Sequence, residues 1–288
     1  MFDALAKQDF AGPWEVVVVL DGAVDESAQV IERYARRIPV RCIELAHNMG
    51  RSAALNAGFA EATGDILIRC DDDLVPSANY LSIHAAAHGG RPVGAVGLYR
   101  NVYPENPYAR AYGRDWDVRF RKQAYSTPDD NRWRYWAGNV SVSRDTWSAV
   151  GPYDTSFRSY GWEDVDWGYR LHRLGVPVIL EPGLETTHRI AATTTVTRSQ
   201  RAFYAGAAKR HFEEKHSISP SDSGQGAWNS VVRVTARRLN EHRVSKVARV
   251  VDSLTLVLPA GAARRLIALS VESAAAAGYG HASNDGLI

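Results

Sequence analysis

Three adjacent carboxylates, Asp71, Asp72 and Asp73, stand directly after the apolar run 65–70 (DILIRC). Like charges this close disfavour one another and cost stability unless a cation is present. A hard divalent ion with oxygen ligands, its coordination completed by a diphosphate, would neutralise them. A solvated acidic turn ahead of the next helix is the alternative reading. Much later in the chain, His188 in Thr186-Thr187-His188 offers an imidazole nitrogen that the same ion could take, and the spacing leaves open whether the two meet. A second acidic group, Glu163-Asp164-Val165-Asp166, follows Trp162 and opens a helical period. Acids there favour the helix macrodipole, yet three acids beside Trp162 and Trp167 exceed what a cap needs. A carboxylate kept ionised at a helix N-terminus can take the proton of a hydroxyl, with an aromatic platform beside it for a carbohydrate. Finally, Asn48-Met49-Gly50-Arg51 leads into Ser52 and Asn56. Such a loop is either an ordinary strand-to-helix turn or a holder of phosphate through backbone amides and an arginine.

These groups act together only if the chain positions them together. Residues 15–20 (EVVVVL) read as a buried strand ending at Asp21-Gly22, and 25–37 as a helix with Asp25 at its N-cap. A strand at 40–45, a helix at 52–62, a strand at 65–70, a helix at 76–88 and a strand at 93–98 follow. This alternation predicts an α/β protein with a doubly wound sheet, in which ligands bind at the carboxyl ends of strands. Asp21 and the Asp triplet lie at such ends. Residues 99–134, rich in aromatics, arginine and proline, read as loops over a binding face. A strand at 138–143, helices at 144–150 and 163–174 and a strand at 176–180 complete the pattern. Residues 217–226 (SISPSDSGQG) have the composition of a linker. Beyond them, Val232, Ala236, Leu239, Val247, Val250 and Leu254 mark one face of a single basic helix, whose other face carries Arg233, Arg237, Arg238, Arg243, Lys246 and Arg249. That helix either packs on the catalytic domain or a dimer partner, or binds anionic membrane or nucleic acid.

The 288 residues are 45% hydrophobic and 23% charged, with net charge +2 from 34 basic and 32 acidic residues. No whole-chain field recruits nucleic acid. Cys42 and Cys70 both fall in strand-like apolar runs and read as buried free thiols, in keeping with a reducing cytoplasm. The first residues lack the pattern of a leader, and no stretch reaches the roughly 18 apolar residues of a membrane span. The expectation is a cytoplasmic protein, at most peripheral at the inner face of the membrane.

Taken in order, EVVVVLDGAVDES (15–27), NMGRSAALNAGFAEATGDILIRCDDD (48–73) and, between 137 and 188, AGNVSVSRDTW, GPYDTSF, YGWEDVDWGYRLHRLG and TTH resemble the inverting glycosyltransferases of family 2. The resemblance covers most of residues 14–189. It implies the GT-A fold, a Rossmann-like, doubly wound mixed sheet, over residues 1–215, then a linker at 216–227 and a C-terminal helical extension at 228–288. It implies that Asp21, Asn48 and Arg51 lie at the nucleotide, with Asp71 and Asp72 on the donor. Asp71, Asp73 and His188 would hold Mn2+ or Mg2+ against the diphosphate, and Gly138 and Asn139 would line the donor-sugar pocket. Asp164 would be the catalytic base, while Glu163 binds acceptor hydroxyls on a platform that includes Trp162. The donor would be a nucleoside diphosphate sugar, UDP by default, and the acceptor a hydroxyl of a glycan, lipid-linked sugar or small metabolite. The family opens with a nucleotide-holding strand before its first helix. Residues 2–8 read as that helix, so the expectation is a native start some tens of residues upstream of Met1. Two rival readings are a sugar nucleotidyltransferase, against which the 162–166 motif argues, and a catalytically impaired nucleotide-sugar-binding protein.

Overall fold

The computed structural model describes residues 1–158, 160–220 and 226–281. Part of the expected linker and the last seven residues of the expected helical extension therefore lie outside the described residues. Along the chain come α1 (Phe2–Leu5), β1 (Val16–Asp21), α2 (Ser27–Ala35), β2 (Val40–Leu45), α3 (Arg51–Glu61), β3 (Ile66–Cys70), β4 (Leu74–Val75), α4 (Tyr80–Ala87), β5 (Gly94–Val96) and β6 (Tyr99–Asn101). Then follow α5 (Arg114–Tyr125), β7 (Asn139–Ser143), α6 (Arg144–Val150), α7 (Glu163–Arg173), β8 (Val178–Leu180) and β9 (Thr186–His188). Four helices come last: α8 (Thr195–Lys215), α9 (Ala227–Ala236), α10 (Glu241–Leu254) and α11 (Ala260–His281).

The chain divides into two compact units. The first comprises residues 1–100, 122–158 and 163–189, and the second residues 101–121, 159–162 and 190–288. Residues 190–215, expected within the catalytic domain, thus cluster with the C-terminal helices.

In the first unit, β-branched runs supply the strands because Val and Ile fit a pleated, half-buried surface. β1 and β2 form a parallel pair in register from Val16 opposite Val40 to Asp21 opposite Leu45. A mixed sheet runs in the order β3-β7-β5-β8, with β7 antiparallel to both neighbours and β5 parallel to β8. A small third sheet runs β4-β9-β6, where Leu74 stands opposite His188. Beneath the site lies an aromatic stack. Trp136 and Trp167 stack at 4.8 Å and Tyr153 follows at 5.6 Å. Both indoles are satisfied, Trp136 donating to the Tyr153 hydroxyl at 3.0 Å and Trp167 to the Gly151 carbonyl at 2.9 Å.

In the second unit, α8 and α11 pack so closely that a Cβ on Gly278 would stand 1.8 Å from the Phe203 carbonyl oxygen. Only glycine fits there. The N-terminus of α8 is capped twice. Thr194 accepts from the Thr197 amide at 3.1 Å, and Asp252 of α10 accepts from the Thr195 amide at 2.9 Å.

Three expectations are corrected. Residues 99–134 are not loops but hold β6, a π-helical turn at Ala109–Gly113, the twelve-residue α5 and a 3-10 segment at Asp129–Tyr135. The single basic helix is two, α9 and α10, because Asn240 adopts an extended conformation and its side chain caps the Arg243 amide at 3.0 Å. Cys42 is exposed rather than buried, because the alternation of β2 turns it outward on the same face as Glu44.

Candidate active site

β3 carries the site's centre. Its alternation turns Leu67 and Arg69 inward, so an arginine occupies a position that would ordinarily hold an apolar residue. The Arg69 side chain is 4% exposed, and a buried guanidinium persists only with partners. It has two. Its Nε donates to Asp71 Oδ1 at 2.8 Å and its Nη2 to Asp71 Oδ2 at 3.3 Å, while Nη1 donates to Asp164 Oδ1. Its Cζ also lies 6.0 Å from the centre of the Tyr153 ring, the outer member of the aromatic stack. Asp71, at the end of β3, and Asp164, in the first turn of α7, are thereby joined through one cation.

Asp164 is 16% exposed. Burial raises its pKa to about 6 against the opposing pull of Arg69, and the neighbouring Glu163 and Asp71 add to the rise. Oδ1 is engaged by Arg69, which leaves Oδ2 to take a proton. Glu163 is buried. Its Oε1 accepts from Arg51 Nη1 at 2.9 Å, and its Oε2 has no hydrogen-bond partner among the described residues. An unmatched buried carboxylate oxygen is costly, and a donating hydroxyl would satisfy it.

The second cluster is Asp73 with His188. Asp73 Oδ2 and His188 Nε2 lie 2.9 Å apart, 19% and 15% exposed. The β4–β9 ladder creates this approach by placing Leu74 opposite His188, and Tyr99 packs on the imidazole with ring centres 4.9 Å apart. Among the described residues no three His, Cys, Asp or Glu side chains converge as a metal set. Of the expected triad, Asp71 has both oxygens bonded to Arg69 in this structure. What remains is an oxygen and a nitrogen ligand side by side, a donor pair that fits Mn2+ or Mg2+ whose coordination a diphosphate and water complete.

Gly138 meets Asp71 without room for a side chain. A Cβ there would stand 2.0 Å from Asp71 Oδ2, and the Asp71 amide donates to the Gly138 carbonyl at 2.9 Å. Gly138→Ala is expected to push Asp71 off Arg69 and cost about 1–3 kcal/mol of stability, the usual range for overpacking. Urea unfolding measures it, and an unchanged midpoint would show that Asp71 moves freely. The side chain of Asn139, expected to line the sugar pocket, is fully buried. Strand alternation sends it inward, where its side chain donates to Leu184 O at 2.8 Å and Thr186 Oγ1 at 2.9 Å and accepts from Tyr80 at 2.9 Å. It ties β7 to the segment that leads into β9.

At the end of β1, Asp21 accepts from the Met49 and Gly50 amides at 2.6 and 2.9 Å, and Asn48 Nδ2 reaches its carbonyl at 3.4 Å. Asp21 therefore shapes the 48–50 loop, where Gly50 takes φ +89° as the cap of α3. Asp72 is exposed. Trp162 belongs to the second unit, where its ring packs on Phe212 at 5.1 Å, and it holds a positive φ of 70°. The residue that sequence reading passed over is Arg69. The signal was present, a lone charge inside a buried strand.

The family model of glycosyl transferase family 2 matches residues 1–148. The chain belongs to that family. Among its relatives, the validoxylamine A glucosyltransferase of Streptomyces hygroscopicus subsp. jinggangensis is 26% identical over 216 residues, covering 64% of this chain and 51% of the relative. The undecaprenyl-phosphate 4-deoxy-4-formamido-L-arabinose transferase of Pseudomonas savastanoi pv. phaseolicola is 31% identical over 159 residues, covering 53% and 39%. The chain thus spans about half the length, or less, of these curated relatives. Among solved structures, a mannosyltransferase of Pyrobaculum calidifontis in complex with GDP-Man and Mn2+ superposes with TM-score 0.61 at 15% identity, covering 96% of this chain and 81% of that one. Residues 1–349 of TarS from S. aureus, in complex with UDP, give 0.53 at 14%, covering 98% and 85%. These likenesses are of fold. The family 2 chain adopts the expected GT-A architecture, an α/β core of mixed sheets followed by C-terminal helices.

Proposed function

We propose that the chain transfers a sugar from a nucleoside diphosphate sugar to an acceptor hydroxyl with inversion, Asp164 serving as general base. One observation carries this reading. Asp164 and Asp71, far apart in sequence, share the buried Arg69 guanidinium, so the proton-accepting carboxylate stands beside the acidic motif at the end of β3. The acceptor hydroxyl would bond to Glu163 Oε2 and pass its proton to Asp164 Oδ2 as its oxygen attacks the anomeric carbon. The bond from that carbon to the diphosphate oxygen breaks on the opposite face, and nucleoside diphosphate departs. Asp73 and His188 would hold a divalent ion, which supplies positive charge against the leaving diphosphate. Asp21, Asn48 and Arg51 shape the nucleotide end through the 48–50 loop. The structural neighbours carry GDP-Man in one case and UDP in another, and UDP is the nucleotide to test first.

Thermal stability with UDP, GDP and dTDP, each with and without Mn2+, tests the donor half. A hundredfold excess over Kd is expected to add about 2.7 kcal/mol. The gain should require Mn2+ and disappear in Asp73→Ala. Stabilisation that is independent of Mn2+, or retained in Asp73→Ala, would remove the ion from this pair. Stabilisation by none of the three would count against the donor site itself.

A further inference from the structure

The surface of α9 and α10 fits none of the chemistry above. Eight of the fifteen large apolar side chains exposed among the described residues lie between 228 and 257. On α10 the spacing is helical in two stripes. Val244, Ala248 and Val251 are buried at 2%, 0% and 6%, whereas Val247, Val250 and Leu254 are exposed at 39%, 58% and 41%. The first stripe supplies the packing expected of a surface helix, so the second is surplus to folding. α9 repeats the pattern, with Val232 at 8% and Val231 and Val234 at 48% and 51%. Leu256 and Val257, just past α10, stand 72% and 80% exposed. The sequence-based expectation had Val247, Val250 and Leu254 on one face with Val232, Ala236 and Leu239, and the structure exposes the first three while burying the others.

The charges around these stripes are mostly positive. Between 228 and 257 stand six Lys and Arg and two acids. All six cations are exposed. The acids are committed within the unit, Glu241 to the Tyr204 hydroxyl and Asp252 to the backbone amides that open α8. Exposed aliphatic rows interleaved with exposed cations match the boundary between acyl chains and anionic headgroups. A second copy of the same face would set six cations against six, which disfavours self-pairing through it. A fluid lipid surface needs no shaped pocket for the valines.

From these observations we infer that α9, α10 and the turn after α10 form a peripheral docking face for an anionic lipid surface, the aliphatic rows entering the interfacial layer and the cations engaging lipid phosphates. No described helix is long and apolar enough to cross a membrane, so the contact lies in the plane of the surface. Each cation near an anionic surface strengthens binding, and salt weakens it.

Cosedimentation of the full chain with vesicles tests this, using phosphatidylcholine alone and an equal mixture with phosphatidylglycerol. Binding to the mixture is expected to exceed binding to phosphatidylcholine by roughly tenfold or more, and to fall with added salt. Lys246→Gln with Arg249→Gln should weaken it by roughly tenfold or more. Val250→Glu with Leu254→Glu should abolish it, while circular dichroism and nucleotide binding stay unchanged because both sites are exposed. No vesicle binding, or equal binding to both compositions, overturns the inference. Full binding by the Val250→Glu, Leu254→Glu variant would reduce it to nonspecific charge attraction and overturn the aliphatic part. A dimer in sedimentation velocity that this variant disrupts, with no vesicle binding by the parent chain, would assign the face to a second copy instead.

Discussion

Asp164→Asn is expected to lower kcat by about 10²–10⁴-fold, the contribution typical of a positioned general base, while nucleotide binding stays intact. The amide keeps an oxygen for Arg69 but has no capacity to take the acceptor proton. The parent chain should show a matching pH signature. Because burial lifts Asp164 to about 6, the base is increasingly protonated as pH falls through that value, and kcat/KM should fall with it. Above it the carboxylate is ionised and the rate should level off. In Asp164→Asn the acid limb should vanish from whatever activity remains. Near-normal turnover in the variant would remove Asp164 from the reaction, whatever its position.

Arg69→Met is expected to damage both stability and rate, and by a separate route. The substitution leaves Asp71 and Asp164 facing one another without their cation. Removing one partner of a buried pair costs about 3–5 kcal/mol, and the lower end applies because Asp71 is 34% exposed. The sign of the pH dependence follows from the carboxylates. Without Arg69 the folded-state pKa of Asp164 rises further above that in the unfolded chain, so the folded state holds its proton more tightly. The loss relative to the parent should therefore be small in acid and grow as pH rises through about 6 and beyond, where the parent's Asp164 ionises. The acid limb of kcat/KM should also move to higher pH. Equal midpoints in urea at pH 8 and an unmoved limb would make the guanidinium a bystander. Arg69→Lys supplies the control, since it restores one charge but not a fork that spans two carboxylates.

The strands and acidic motifs were legible because they follow simple patterns. Runs such as VVVVLD and VRCIEL are β-branched, and the Asp triplet and Glu163-Asp164 stand at element ends where charge needs a reason. α5 was not legible. In RDWDVRFRKQAY charge outweighs apolar content and no stripe emerges. Its buried Asp117 is held by Asn101 and Arg121 instead, polar partners that hydrophobic periodicity cannot reveal. The pairing of Asp73 with His188 depends on the short β4–β9 ladder, below the length at which a strand signals itself. Asn139 was placed at the sugar pocket by the resemblance alone, whereas the strand that begins at Asn139 has a period of two that turns its side chain inward. Arg69 was absorbed into its strand as filler, although no other charge sits within β3.

The second unit gathers residues 101–121 with 190–281 among those described, and this has a consequence for biosynthesis. Tyr108, Ala111 and Tyr112 share one core with Val251, Ile267 and Val271. A ribosome adding about 5–20 residues per second needs on the order of ten seconds to travel from the first group to the last. During that interval the tyrosine-rich segment has emerged while its packing partners are still untranslated, even as the first unit becomes complete at residue 189. The nascent chain thus carries a sticky, unsheltered stretch for most of its remaining synthesis. Soluble yield in a foreign host should track chaperone supply and translation speed more closely than the stability of the finished protein.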